Sequence, residues 1–406
     1  MCGASVAVTS VAIIGAGITG TIAALSLADA GVRVVLFEAD DAPLLGASLA
    51  NEGKVHLGYV YAMDTSLETS RRMLEGATVF RDILCRWIAR DAIEPHQSRP
   101  FLYAIPNSSM MSADAIRVHF SRVSQMANEV GGGLFRCANT VPQEIAPAKM
   151  AQLFDPSRVR AAFQTDELAI DTHAVRRGLV SALAAHPRIE TRTSTRVCSV
   201  ERGTSAFEVL SQAQGVQTTE TFDHVVNAAW QHRLEIDAGF GLVADRPVIH
   251  RYKFGLRTAD PTVCKSLPPV TFLVGEYGDT VSYGENAYVS WYPGGMVSQE
   301  TALSPAFDPD RLSPVTRQDI AKTMRHELAA LMPGATNALN DPRTQWELIG
   351  GFITAWGKTG INDAHSELHA RHEVGVHSYD GYHSIDTGKY TLGPACGVEV
   401  AARILG

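Results

Sequence analysis

Several things are scarce in this chain, and each shortage narrows what it does. Lysine and arginine number 35 against 43 aspartates and glutamates, a net charge of −8 over 406 residues. With no concentrated basic face either, nucleic acid is not expected as a partner. The six cysteines (Cys2, Cys85, Cys137, Cys198, Cys264 and Cys396) are scattered and form no Cys-x-x-Cys pair. That pattern argues against a disulfide framework or a zinc site and for reduced thiols, so the cytoplasm is the expected compartment. The apolar run near the N-terminus is too short to span a bilayer and lacks a basic segment before it, so no transmembrane segment is expected. No internal repeat or low-complexity stretch is present. What remains is 45% hydrophobic and 19% charged, the composition of a soluble globular protein with two or three domain-sized units or one large core.

One stretch stands out against that background: VAIIGAGITGTIAALSLADAGVRVVLFEAD, from Val11 to Asp40. Val11 to Ile14 read as a buried strand, and Ile18, Ile22, Leu25 and Ala28 follow at helical spacing. Gly31 closes the helix, Val32 to Phe37 form a second strand, and Glu38 stands at its end. Each glycine between strand and helix has a reason. Gly15 permits the tight turn, and Gly17 lets backbone approach a pyrophosphate. Gly20 lets helix and strand pack closely, so the helix N-terminus can meet the phosphates. Glu38 suits the hydroxyls of an adenosine ribose and would repel a 2′-phosphate. Strand, glycines, helix, strand and acid in that order within 30 residues predict a dinucleotide site for FAD or NAD rather than NADP.

The rest of the chain reads as pieces of two units. Residues 39–65 form a long loop, and Ser66 caps a helix whose stripe is Met73, Ala77, Phe80, Leu84 and Trp87, ending near Arg90. A strand at Phe101–Ile105 and a helix from Ser112 to Val130 follow, and Gly131-Gly132-Gly133 then breaks the chain. Asp171 or Thr172 caps another helix, with strands at Ile189–Arg192, Thr195–Val200, Phe207–Leu210 and Phe222–Asn227. Strands at Val248–Leu256, Thr271–Gly275 and Ala287–Tyr292 surround a helix from Pro314 to Leu331. The strand Tyr382–Asp386 and a small-residue helix from Pro394 to Ile404 end the sequence. The expected fold is α/β (α+β overall): a Rossmann-type dinucleotide domain from residues 1–91, 161–245 and 355–406. Residues 92–160 and 246–354 then build a discontinuous second domain on a mostly antiparallel sheet. The ligand is expected between the two, beside the carboxyl ends of the strands.

Taken together, these segments resemble the D-amino-acid-oxidase-like family of FAD-dependent oxidoreductases over most of the chain, less closely in the two insertions. VAIIGAGITG with Glu38 matches the family's FAD fingerprint, AIDTHAVRRGLVSAL its middle helix, and VVNAAW the strand before the cofactor, with Trp230 where glycine is usual. GASLANEGKVHLGYVYA resembles a loop of L-2-hydroxyglutarate dehydrogenases, with Glu52 in place of serine. DTGKYTLGPA is similar to a segment of glycerol-3-phosphate dehydrogenases, with only Thr391 following Lys389 and Tyr390. The resemblance implies FAD held by Gly15, Gly17, Ile18, Thr19, Gly20, Glu38, Ala39, Ser48, Asn51, Val197, Ala228, Ala229, Gly388, Lys389, Tyr390 and Thr391. It also implies a small-molecule substrate oxidised at a C–H bond beside a hydroxyl. Other members of the family oxidise amines, so an amino acid or secondary amine is the alternative substrate.

Three residues are expected to carry the chemistry. His56 can take a hydroxyl proton while hydride leaves the same carbon; it could instead be hydrogen-bonded within its loop or joined covalently to the flavin. Lys389, at the start of a helix, can stabilise the negative charge of reduced flavin, unless it is a solvated turn lysine. Arg251 can hold a substrate carboxylate in a fork, with Lys253 a weaker candidate for the same role. Tyr288, Trp291 and Tyr292 read as packing aromatics or as walls of the pocket. Ser48, Ala50, Asn51 and Gly53 are small enough to let their loop approach a flavin. His365, His369 and His372 share a helical spacing, but no carboxylate or cysteine completes a metal set, so no metal is expected. Electrons would pass to oxygen or another acceptor. A non-catalytic dinucleotide-binding module and an NAD-linked dehydrogenase are the remaining alternatives.

Overall fold

Residues 10–130 and 141–406 are described by a computed structural model; Cys2, Cys137 and the Gly131-Gly132-Gly133 break lie outside them. The strands Ser10–Ile14 and Arg33–Phe37 pair in parallel, as a strand–helix–strand unit requires. Four further strands extend them into one sheet, ordered Gly375–Tyr379, Tyr382–Asp386, His224–Asn227, Ser10–Ile14, Arg33–Phe37 and Ile189–Arg192. All its pairings are parallel except the one between Gly375–Tyr379 and Tyr382–Asp386.

Alternation along each strand decides which layer it meets. Val11, Ile13, Val34, Leu36 and Val226 enter one core with the helices Ile18–Asp29, Glu68–Leu84 and Gly393–Leu405. Ala12, Ile14, Val35, Phe37 and Val225 enter another, against an antiparallel meander of Thr195–Arg202, Phe207–Ala213 and Val216–Phe222. The helix Ile18–Asp29 is buried on nearly every side, from Ile18 through Ala28. Its outer neighbour is the C-terminal helix, whose small residues allow close contact: a Cβ on Gly397 would stand 2.8 Å from Ile22 Cβ.

The second sheet has nine strands, and its centre is Val248–Thr258, buried along all eleven residues. Glu347–Trp356 pairs along one edge of that strand, while Met296–Thr301 and Ala287–Trp291 share the other. The order continues through Gly278–Ser282, Val270–Phe272, Leu102–Pro106, Val159–Gln164 and Gln143–Glu144. Every pairing is antiparallel except that of Val270–Phe272 with Leu102–Pro106. The helix Pro314–Leu331 buries Ile320, Met324 and Leu328 against one face, and Ala113–Val130 packs Phe120 against Tyr103 and Phe163 on the other. Two strands cross the domain boundaries drawn from the sequence at 160/161 and 354/355: Val159–Gln164 and Glu347–Trp356.

Asp171 ties the helix Thr172–Ala185 to the second sheet. Its carboxylate accepts from His173 N to cap the helix Thr172–Ala185 and receives both Nη atoms of Arg257, at 2.9 and 3.1 Å. Both residues are buried, so removing either partner is expected to cost about 3–5 kcal/mol.

Local details differ from the sequence expectation at a few ends. The helix after the loop starts at Glu68 and stops at Leu84 rather than near Arg90. Asp64 takes the Thr69 N–H while Leu67 adopts φ 66°, so the capping is shared among Asp64, Ser66 and Leu67. His365, His369 and His372 do not share a helix face: only a single turn, Glu367–His369, forms there, and His369 Nε2 bonds the Asp363 carbonyl. Among the described residues no helix is long and apolar enough to cross a membrane.

Candidate active site

A cleft of about 380 Å³ runs from the end of the Arg33–Phe37 strand, across the glycine turn, to the face of the second sheet. Its first stretch is shaped by close backbone approach. Gly15 has φ +97°, and a Cβ there would stand 2.7 Å from the Ala228 carbonyl oxygen, so only glycine fits. Gly17 stands before the helix N-terminus, where Ile18 N donates to Ser48 Oγ at 2.9 Å. Glu38 accepts from Ala16 N at 2.8 Å and from Asp40 N at 3.0 Å. Two such bonds leave acceptor capacity on its carboxylate for ribose hydroxyls. Burial raises its pKa, the backbone donors opposing.

The far end of the cleft is rich in ionisable side chains. His56 is buried at 4% exposure; its backbone N–H is held by Thr391 Oγ1 at 3.0 Å. Thr391 in turn donates to the Lys54 carbonyl, which ties the loop to the C-terminal helix. Burial holds the His56 pKa below the ordinary histidine value, with Lys389 and Lys54 adding to the effect and Glu167 opposing it. The ring is therefore neutral near pH 7, the form that can accept a proton. Lys54, also buried, donates to Asp279 Oδ1 at 2.7 Å and to Thr271, all three being part of the cleft wall.

Cations gather around Tyr292. Lys253 Nζ lies 4.3 Å from its ring centre and Arg251 Cζ 5.7 Å. Burial alone would raise the tyrosine's pKa, but Arg251, Lys253, Lys389 and Arg371 together bring it below its ordinary value. Arg251 Nε and Nη1 and Arg371 Nη1 are buried with no hydrogen-bond partner. Unsatisfied guanidinium groups at 1% and 8% exposure are expensive, and they concentrate positive charge at this corner. Lys389 opens the turn Tyr390–Leu392 that leads into the helix Gly393–Leu405. Burial first, then Arg371, lowers its pKa to about 8.

Most residues singled out in the sequence meet in this one cleft. Gly15, Gly17, Ile18, Thr19, Glu38, Ala39, Ser48, Asn51, Val197, Ala228, Ala229, Gly388, Lys389, Tyr390 and His56 line it. Three do not. Gly20 lies under the turn, where a Cβ would stand 2.0 Å from the Gly15 oxygen, so its task is packing. Thr391 is behind His56, and Arg251 stands outside the lining, behind Tyr292. At this end of the cleft the guanidinium on the wall is Arg371, which carried no signal in the sequence; Arg196 lines the cleft as well. Glu52, Lys54 and Asp279 also line the cleft, and Glu167 lies just behind it. Trp230 lines it too, with φ +48° and its indole N–H donating to the Phe352 carbonyl of the second sheet.

A parallel sheet with a glycine turn, an acid at the end of its second strand, and a cleft leading to a second sheet define a dinucleotide-dependent oxidoreductase. The family model described as FAD dependent oxidoreductase (DAO) matches residues 10–403, and the chain belongs to that family. Among solved structures it is similar to glycine oxidase from Geobacillus kaustophilus, with TM-score 0.67, 17% identity, and 96% of this chain and 93% of that one covered. Iminodiacetate oxidase from Chelativorans sp. BNC1 is similar at TM-score 0.67 and 17% identity, covering 98% and 95%. So is dithionite-reduced L-alpha-glycerophosphate oxidase from Mycoplasma pneumoniae with FAD bound, at TM-score 0.67 and 14% identity, covering 98% and 94%. No curated protein matches the sequence.

The protein is thus an FAD-dependent oxidoreductase, and its residues fit that cofactor. The turn at Gly15 and Gly17 leaves room for a pyrophosphate, Glu38 suits the ribose, and Lys389 brings a cation to the opposite end. FAD supplies the electron acceptor for a C–H bond; the chain supplies position, dryness and charge. One measurable consequence concerns Lys389. An ammonium in this cleft is expected to favour negative charge on a bound flavin, so Lys389→Met is expected to lower the flavin reduction potential. A charge-assisted contact is worth about 1–3 kcal/mol, roughly 20–65 mV for two electrons. Because the Lys389 pKa is about 8, the difference should be full below that pH and close above it. Potentiometric titration of the two proteins at several pH values checks this.

Proposed function

We propose that the protein oxidises a small 2-hydroxy acid at the carbon bearing the hydroxyl, with His56 taking the hydroxyl proton. The observation that carries this reading is the His56 imidazole, buried in the cleft wall, where burial favours its neutral form. An alcohol must lose its O–H proton as its C–H bond is oxidised, and such a base is what that step needs. Arg371 and Lys253 on the wall, with Arg251 behind them, would hold the acid group. Among the described residues none of these three has a carboxylate within ion-pair distance. Three unpaired cations exceed what one carboxylate neutralises, so hydroxy acids with a second acidic group should bind better than monocarboxylates. We assign residues 1–91, 161–245 and 355–406 to cofactor binding and the intervening segments to the substrate, except that residues 161–164 and 355–356 complete strands of the second sheet. The electrons then go to oxygen or another small acceptor. The four free cysteines among the described residues support a reducing compartment such as the cytoplasm.

Oxidation of an amino acid or secondary amine is the second reading, and Glu52 favours it. Its carboxylate lines the cleft 3.8 Å from His56 Nε2 and could pair with an ammonium. An anaerobic panel of hydroxy mono- and dicarboxylates, amino acids and secondary amines, followed by flavin absorbance, decides between the two. Bleaching by hydroxy acids alone supports the proposal, and bleaching by amines alone overturns it. Arg371→Gln should raise KM for the acid about 10- to 150-fold with little change in kcat, the loss expected from a charge-assisted contact of about 1.5–3 kcal/mol. An unchanged KM would remove Arg371 from substrate binding.

A further inference from the structure

We propose that Glu167 is the positioning residue of His56, holding Nδ1 so that Nε2 is the atom that accepts the substrate's proton. The chemistry of this inference rests on the hydroxy-acid reading; its geometry does not. The two residues are brought together by a short antiparallel pair in which Val55 stands opposite Leu168 and Lys54 opposite Ala169. One residue beyond that pair on each strand lie His56 and Glu167, and His56 Nδ1 is 3.4 Å from Glu167 Oε1.

Everything around Glu167 fixes it in place. It is fully buried, at 0% exposure, and does not line the cleft, so it is not itself a group for substrate. Leu57 N donates to its Oε2 at 2.7 Å, and the Tyr103 hydroxyl donates to Oε1. The nearest cation, Lys54, is already engaged by Asp279 and Thr271. His56 Nδ1, meanwhile, is buried and is not aligned in a hydrogen bond with any neighbour. A small rotation of the ring turns the 3.4 Å approach into an Nδ1–H···Oε1 bond, a tightening expected as a catalytic site fills. A buried carboxylate beside a neutral imidazole selects the tautomer with its proton on Nδ1, which leaves the Nε2 lone pair for the cleft.

The proton balance also depends on this carboxylate. The substrate O–H bond breaks and its proton forms a new N–H bond at His56 Nε2. The hydrogen on the adjacent carbon leaves with its electron pair to FAD, and the carbon–oxygen bond becomes a carbonyl. The imidazolium then has Glu167 at one nitrogen and Glu52, at 3.8 Å, at the other. Against it stand the ammonium groups of Lys54 and Lys389, while the Tyr61 ring meets it edge-on at 5.9 Å between centroids. Glu167 therefore stabilises the protonated ring, and without its charge the ring should titrate at lower pH.

The test uses the FAD-loaded enzyme with 15N-labelled histidine, the His56 signals being assigned by their absence from His56→Gln. In the wild type, Nδ1 is expected to be protonated at neutral pH. In Glu167→Gln the Leu57 N–H keeps the amide oxygen at the Oε2 position, so the amide NH2 faces His56 Nδ1 and donates to it, and the proton should move to Nε2. Anaerobic reduction by a hydroxy acid should slow about 10- to 100-fold, its acid limb shifting to lower pH, with FAD content unchanged. Glu167→Asp retains the charge and should restore the limb in part. Tyr103→Phe, which leaves the carboxylate a stronger acceptor, should move the limb the opposite way. Should Glu167→Gln fail to fold, Glu167→Asp and Tyr103→Phe decide by the same signals. An unchanged tautomer or an unmoved limb overturns the proposal. If no hydroxy acid reduces the flavin at all, the hydroxy-acid reading fails and the tautomer alone decides the role of Glu167.

Discussion

His56→Gln is expected to keep its FAD and to reduce it about 10²–10⁴-fold more slowly under anaerobic conditions, the usual share of general-base catalysis. Glutamine preserves hydrogen bonding at the cleft wall but cannot accept a proton. The pH dependence carries a definite sign. The base works when unprotonated, so the wild-type rate should fall as pH drops through the His56 pKa. Burial places that pKa below the ordinary histidine value, despite Glu167, so the limb should lie below about pH 6.5. His56→Gln should lack the limb altogether. Rapid-mixing measurements of flavin absorbance across pH read both effects. A variant that reduces near the wild-type rate would end the base assignment and make amine oxidation the better reading. If acid releases flavin from the variant but not from the wild type, His56 is a covalent tether instead.

Gly17→Val is expected to yield a folded, colourless protein. Gly17 has ordinary dihedrals, φ −68° and ψ −179°, so valine brings no backbone strain. What it brings is bulk. A Cβ would already stand 3.1 Å from Ser48 Oγ, the atom that accepts from Ile18 N at the helix start. Valine's branches must push Ser48 aside and occupy the space where a pyrophosphate meets the helix N-terminus. The contact is with a movable side chain, so the fold should survive. Gly20→Val is the contrasting case: its Cβ would lie 2.0 Å from a backbone oxygen, so the sheet–helix packing itself should fail. FAD content, circular dichroism and thermal melting separate the two. Loss of bound FAD should lower the Gly17→Val melting temperature to that of wild-type apoprotein. A yellow Gly17→Val protein with full FAD content would refute the phosphate role of this turn.

Local sequence was enough for elements whose periodicity stands alone. The helix Pro314–Leu331 and the strand Tyr382–Asp386 have the ends expected of them, because Pro314 follows a serine cap and Gly381 and Gly388 bracket the strand. The hairpin strand Val216–Phe222 passed unnoticed because it is polar and mostly exposed, so no alternation marks it. Glu347–Trp356 is mostly half-buried, with no alternation, and carries Gly350-Gly351; only pairing with the fully buried Val248–Thr258 makes it a strand. The histidines at 365, 369 and 372 fit a helical spacing but form no helix, since spacing alone supplies no hydrogen bonds.

The same division holds for the site. The sequence by itself marked the glycine turn and its acid, because Gly15, Gly17, the helix behind them and Glu38 are neighbours in the chain. It also singled out His56 and Lys389, each in a local setting of glycines and small residues. Only the tertiary structure decided what surrounds them. Glu167 is 111 positions from His56 yet meets it through a two-residue strand pair. Arg371 rather than Arg251 lines the wall, because Tyr292 stands in front of Arg251. Charges act through space over a few ångströms, and in a buried cleft little water screens them. Which of them meet is settled by how two sheets pack, and no local pattern in the chain records that.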